Sequence, residues 1–203
     1  NRGARENLGY TAEQLATMAL QKDRLEPFNH VISGWAKLQR RDFEAGLGYF
    51  KDALALNEIS ARTNIAAAEA FGYAGDVGRA QALAARAMQL VSPPVPPYFY
   101  SYLASIEFMS GNLDECLTLC DRAPENPETS ALRITALAAK GRRSEAASVA
   151  RRFVRDVTRQ SPRPIGPEEI GSWLADYAMF GHPGVRAAWL DGLDRAGIPM
   201  PRS

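Results

Sequence analysis

Apolar residues recur along this chain at spacings of three and four, in short runs that stop at a glycine or proline and start again. Residues 61–94 show the pattern most clearly. Ile65, Ala68 and Tyr73 mark one stripe. Val77, Ala80, Ala84, Ala87, Met88 and Leu90 mark a second, and Ala74, Gly75 and Asp76 lie between them. Two amphipathic helices joined by a tight turn are predicted, with Ala68 and Ala80 as small residues at their closest approach. Pro93 and Pro94 stop the second helix, because proline has no N–H to continue the ladder. A single helix pair of this size cannot bury its own apolar stripe, so it needs neighbours of the same kind.

The neighbours are present. Moving 34 residues back, Gly34 falls on Ala68, Phe43 on Val77, Gly46 on Ala80, Phe50 on Ala84 and Leu54 on Met88. Moving 36 forward, past the connector Ser92–Pro97, Ala104 falls on Ala68, Gly111 on Gly75, Cys116 on Ala80 and Cys120 on Ala84. A fourth unit follows after 30 more residues, through Ile134, Gly141, Ala146, Ala150 and Phe153. The turn glycine is replaced by Arg41 in the first unit. Upstream, Thr11 and Gln14 fit a capping box ahead of Leu15, Met18 and Ala19. Downstream, a Pro-rich loop at 161–167 precedes two further stripes. Ile170, Trp173, Leu174 and Tyr177 form one; Val185, Ala188, Trp189, Leu190 and Leu193 form the other, which is closed by Gly197 and Pro199.

Period, turn position and small-residue sites together resemble the tetratricopeptide repeat over residues 27–157. That resemblance implies an all-α fold, a right-handed superhelix of helix pairs with C-terminal capping helices. Residues 1–26 would be a leading helix, 27–160 four helix pairs and 161–203 the cap. The ending Trp189-Leu-Asp-Gly-Leu-Asp-Arg-Ala-Gly-Ile-Pro199 and the segment Pro97-Tyr-Phe-Tyr-Ser-Tyr102 are similar to the repeat regions of bacterial class III adenylate cyclases and winged-helix transcriptional activators. A catalytic or DNA-binding domain would then lie upstream. The chain opens on Asn1, without a charged-then-apolar leader, and is expected to be a piece of a longer product. In tetratricopeptide folds the first helix of each pair lines a concave groove. Here those positions are Phe28, Val31, Trp35 and Leu38; Arg62, Ile65, Glu69 and Tyr73; and Tyr98, Ser101, Ser105 and Phe108. The clamp that some members use on acidic C-terminal peptides is missing, since Val31, Trp35, Ala66 and Tyr102 stand where Lys, Asn and Arg are needed.

Composition narrows the rest. Apolar residues make up 46% and charged residues 23% of the 203, with a net charge of +1, so no whole-molecule field points to nucleic acid or membrane. No apolar run reaches the roughly 20 residues of a membrane helix. Cys116 and Cys120 read as small core residues of a reducing, cytoplasmic compartment. The two histidines, His30 and His182, adjoin no nucleophile pattern, and no phosphate loop exists because Gly46-Leu-Gly48 lies in a helix. No enzyme, cofactor or metal is expected. A protein or peptide partner is, with the upstream domain of the same chain among the candidates. Charge is unevenly placed, however. Eight basic residues fall between Lys140 and Arg163, and Arg151, Arg155 and Arg159 share a helix face. That stripe is the alternative site, for an acidic partner or, less in keeping with the composition, nucleic acid.

Overall fold

A computed structural model describes residues 13–201, so the Thr11 half of the expected capping box lies outside the described residues. All regular structure among them is helical. Helix α1 covers 13–22. It is followed by α2 (Pro27–Gln39), α3 (Phe43–Leu56), α4 (Ala61–Tyr73), α5 (Val77–Leu90), α6 (Pro97–Met109), α7 (Leu113–Arg122), α8 (Pro127–Ala139), α9 (Arg143–Gln160), α10 (Pro167–Tyr177) and α11 (Pro183–Arg195). Consecutive helices pack as hairpins: α2 on α3, α4 on α5, α6 on α7 and α8 on α9. The chain divides into two compact units, residues 1–94 and 95–203, with the boundary inside the Pro-rich connector.

One turn closes all four hairpins. Its central residue is left-handed each time: Arg41 at φ 65°, Gly75 at 96°, Gly111 at 81° and Gly141 at 74°. The hydrogen bonds repeat as well. The Gly75 N–H donates to the Gly72 carbonyl (2.9 Å) and the Asp76 N–H to that of Phe71 (2.9 Å), and the bonds around Arg41, Gly111 and Gly141 are equivalent. This is a Schellman termination, which satisfies two carbonyls left over at the helix end. In the first two hairpins the following residue at once caps the next helix with its side chain. Asp42 accepts the Ala45 N–H (3.2 Å) and Asp76 that of Arg79 (3.1 Å). Three of the four first helices begin with proline, at Pro27, Pro97 and Pro127, where a missing N–H costs nothing.

Small residues set how closely each pair approaches. In the first hairpin, a β-carbon on Gly34 would lie 2.6 Å from the Phe50 ring and 3.1 Å from the Gly46 carbonyl, so α2 and α3 touch nearly backbone to backbone. Ala68 and Ala80 are fully buried in the second hairpin, as are Ala104 and Cys116 in the third. Helix α4 packs on α2, α3 and α5 and is buried continuously from Thr63 to Tyr73, so its run of alanines is the centre of the first unit.

The C-terminal segment closes the second unit. Helix α11 packs on α8 and α9. A β-carbon on Gly192 would come within 3.0 Å of the Thr135 backbone, so the glycine lets α11 reach α8. Gly197, at φ 91°, ends α11 with the same bond pattern as the hairpins: Gly197 N–H to Asp194 (2.9 Å) and Ile198 N–H to Leu193 (3.1 Å). That turn buries Ile198 and sets the Pro199 carbonyl against Gly171 of α10, where a β-carbon would sit 1.9 Å away. Trp189, Leu193, Ala196 and Ile198 of the closing motif are buried, while its exposed Gly197 is explained by the left-handed turn. Trp189 of α11 meets Phe108 of the third pair (centroids 5.9 Å) and Phe180 (5.3 Å). Asp176, Arg186 and Asp191 are exposed.

Candidate functional site

In the first unit, α2 and α4 lie side by side and bring two pairs of the expected groove residues together. The Arg62 guanidinium stacks over the Phe28 ring at 3.7 Å, and Trp35 meets Tyr73 edge-on at 6.1 Å. Trp35 also meets Phe50 of α3 at 5.1 Å, which fixes the indole between two hairpins. Val31, Leu38, Ile65, Glu69 and Tyr73 are buried and serve as the floor beneath. Phe28 and Trp35 are half-buried and Arg62 is exposed. Ile32 belongs to this surface too: it is exposed, and with Phe28 and Trp35 it follows the spacing of four and three that defines one helix face. Sequence reasoning passed over it because the self-alignment weighted positions that recur, and the equivalent Ala66 is buried.

The groove positions of the second unit have different surroundings. Tyr98 is 40% exposed and stacks on Phe99 and Tyr102. Ser101 lies 3.4 Å from the Thr129 hydroxyl, and Ser105 is fully buried. Phe108 is covered by Phe180 and Trp189, leaving it 5% exposed. Here α11 and the loop before it occupy the side of α6 on which Phe108 stands.

Arg151, Arg155 and Arg159 are exposed along α9, as their spacing requires. Arg151 and Arg155 line a shallow depression of about 260 Å³ with Ser148, Val149 and Arg152. Arg152 is engaged by Glu125 (2.6 Å) and Arg155 lies 3.6 Å from Asp156, so part of this charge is already compensated. A larger cavity, about 420 Å³, opens where the end of α9 and the loop after it meet α10. Trp173 stands at its wall, and an Arg163–Glu169 ion pair lies on its rim. The guanidinium holds the Glu169 carboxyl below its usual range, chiefly by hydrogen bonding.

Cys116 and His30 are held in the packing of their helices. The Cys116 thiol is buried, and its hydrogen bond with Cys120 followed by desolvation pushes it well above the usual thiol range, which keeps it protonated. His30 lies 2.9 Å from the Arg24 carbonyl through Nε2. A carbonyl only accepts, so that nitrogen carries the proton and ties the loop after α1 to α2. Its Nδ1 is buried 3.8 Å from Asp52. Among the described residues no group of three or more His, Cys, Asp or Glu could hold a metal ion, and no helix is long and apolar enough to cross a membrane.

No protein-family model matches the chain, and no curated protein matches it. Its class therefore rests on its own architecture: an all-helical protein of consecutively packed helix pairs.

Proposed function

We propose that this chain is a protein-interaction module of the tetratricopeptide type, a right-handed superhelix serving as the regulatory or interaction region of a larger bacterial signalling or transcription-regulator protein. It binds a protein or peptide segment and is not itself an enzyme. The observation that carries this reading is the recurrence of one left-handed turn at Arg41, Gly75, Gly111 and Gly141, in register with the small residues at each helix crossing. Repetition of that kind builds extended surfaces rather than a single reactive centre. The part of the surface best suited to a partner is the α2–α4 face of Phe28, Ile32, Trp35 and Arg62, where rigid aromatic groups stand over a buried floor. Such groups bury much area for little lost freedom, which is why they dominate binding hot spots. An amphipathic helix or an extended apolar segment is the matching ligand.

The experiment is selection of ligands from a random peptide library, followed by affinity measurement at low and high salt. Binding on the α2–α4 face survives salt and is lost in Trp35→Ala. The second reading, an acidic partner on the Arg151 stripe, is favoured by the arginine-lined depression on α9. It would give binding that falls steeply with salt and is lost in Arg151→Ala with Arg155→Ala.

A further inference from the structure

The cavity between the end of α9 and α10 has no part in the interaction surface above, and its construction differs from it. Its walls are apolar: Val157 from α9, Ile165 from the loop, and Ile170 and Trp173 from α10. Its volume, about 420 Å³, lies within the roughly 300–1,000 Å³ usual for small-molecule sites. Trp173 is 38% exposed although it belongs to the apolar stripe of its helix, and Tyr177 braces it at 5.7 Å between centroids. Tyr177 is held in turn by its hydroxyl, which donates to Glu128 at 3.2 Å. A braced, half-uncovered indole on a concave apolar wall is a stacking surface for a flat ring.

The rim supplies one cation that can change partners. Arg163 is paired with Glu169, but both side chains are about half exposed, so solvent screens the pair and it is weak. An arriving carboxylate can take the guanidinium in the two-pronged geometry that arginine favours. Glu169 then loses little, because it stands in the first turn of α10, where the helix dipole favours negative charge and no side chain caps the N-terminus.

We propose that this cavity is a binding site for a small planar aromatic acid, with its ring on Trp173 and its anionic group on Arg163. A peptide would need a groove longer than this single depression, and a neutral apolar molecule would leave the rim unused.

Two fluorescent probes of nearly the same shape test it: anilinonaphthalene sulfonate, which is anionic, and phenylnaphthylamine, which lacks the sulfonate. Titration of the full chain should show one anionic probe per chain. Ser161→Trp, which fills the cavity from the loop without removing any packing, should abolish that binding. Arg163→Gln should weaken the sulfonate about tenfold, the worth of one charge-assisted hydrogen bond, and leave the neutral probe within about twofold. Trp173→Ala should weaken both, with helical circular dichroism unchanged. Binding of the sulfonate that is absent in the parent chain, or that persists in Ser161→Trp, overturns the site. Equal loss of both probes in Arg163→Gln overturns the assignment to an acid.

Discussion

Replacing Gly141 by alanine should destabilise the second unit, although the new methyl group would touch nothing. No atom lies within 4 Å of the place its β-carbon would take. The cost is conformational only. At φ 74° an L-residue pays about 1–2 kcal/mol for left-handed backbone, and reduced freedom of the unfolded chain returns about 0.4–1 kcal/mol. The net is a loss of about 1 kcal/mol. Gly111→Ala, at φ 81° and also in open space, should behave alike. The same chemical change at Gly48 or Gly78, inside α3 and α5 and equally open, should stabilise by up to about 1 kcal/mol because alanine is the better helix former. Urea denaturation followed by circular dichroism reads the difference. With a slope of about 1–3 kcal/mol per molar, the turn variants should lose about half a molar in midpoint and the helix variants gain a similar amount. Arg41→Gly should also gain, since it relieves the one non-glycine residue in this conformation among the described residues. If Gly141→Ala and Gly78→Ala move in the same direction, the turn is not what sets the hairpin register.

Further expectations concern packing and charge. Ala80→Glu places a carboxylate at a site with no exposure, and should cost about 3 kcal/mol or more in a thermal or urea melt. Gly171→Ala and Gly192→Ala press a methyl group into the Pro199 carbonyl and the Thr135 backbone, and each should cost about 1–3 kcal/mol. Removing everything after Pro164 should uncover Phe108, Ile134 and Phe153, and light scattering should show aggregation; a monomeric, equally stable fragment would contradict the packing of α11. Glu13 of α1 accepts from Lys37 of α2 (2.5 Å) and from Arg40 just past its end, and the Lys37 bond, the largest of these influences, holds its carboxyl below the ordinary range against the effect of burial. Its contribution is present above the ordinary glutamate pKa and is lost as pH falls through the lowered folded value. Glu13→Gln should therefore cost about 1 kcal/mol or less at neutral pH and nothing in strong acid.

The helices and their turns were legible because they depend on local chemistry. Gly75, Gly111 and Gly141 mark the turns, whereas Pro27 and Pro127, which can end one helix as well as begin the next, stand as the first residues of α2 and α8. Even Arg41, which breaks the glycine pattern, could be placed by the 34-residue spacing to Gly75. What the pattern could not carry was the destination of each apolar face. Phe108 and Trp35 both belong to the groove face expected of first helices, yet one is covered by Phe180 and Trp189 and the other leans on Tyr73. Periodicity says that a residue faces inward, but not which later segment arrives there. The closing motif illustrates the same limit: its Gly192 meets Thr135 and its Pro199 carbonyl meets Gly171 of α10, which no local rule reveals. The α9–α10 cavity was illegible for a related reason, since Arg163, Glu169 and Trp173 meet only through the path of the 161–167 loop.

The claim that the α2–α4 face receives a partner segment is tested most directly by one affinity comparison. A library-selected peptide should be titrated against the parent chain, against Ile32→Ser with Trp35→Ala, and against Arg151→Ala with Arg155→Ala, at physiological salt. The aromatic-face variant should lose about 2 kcal/mol or more of binding, some thirtyfold, with its helical signal intact, while the arginine variant should bind within about twofold of the parent chain. The reverse order, with the arginines essential and Ile32 and Trp35 silent, would contradict it and place the partner on α9.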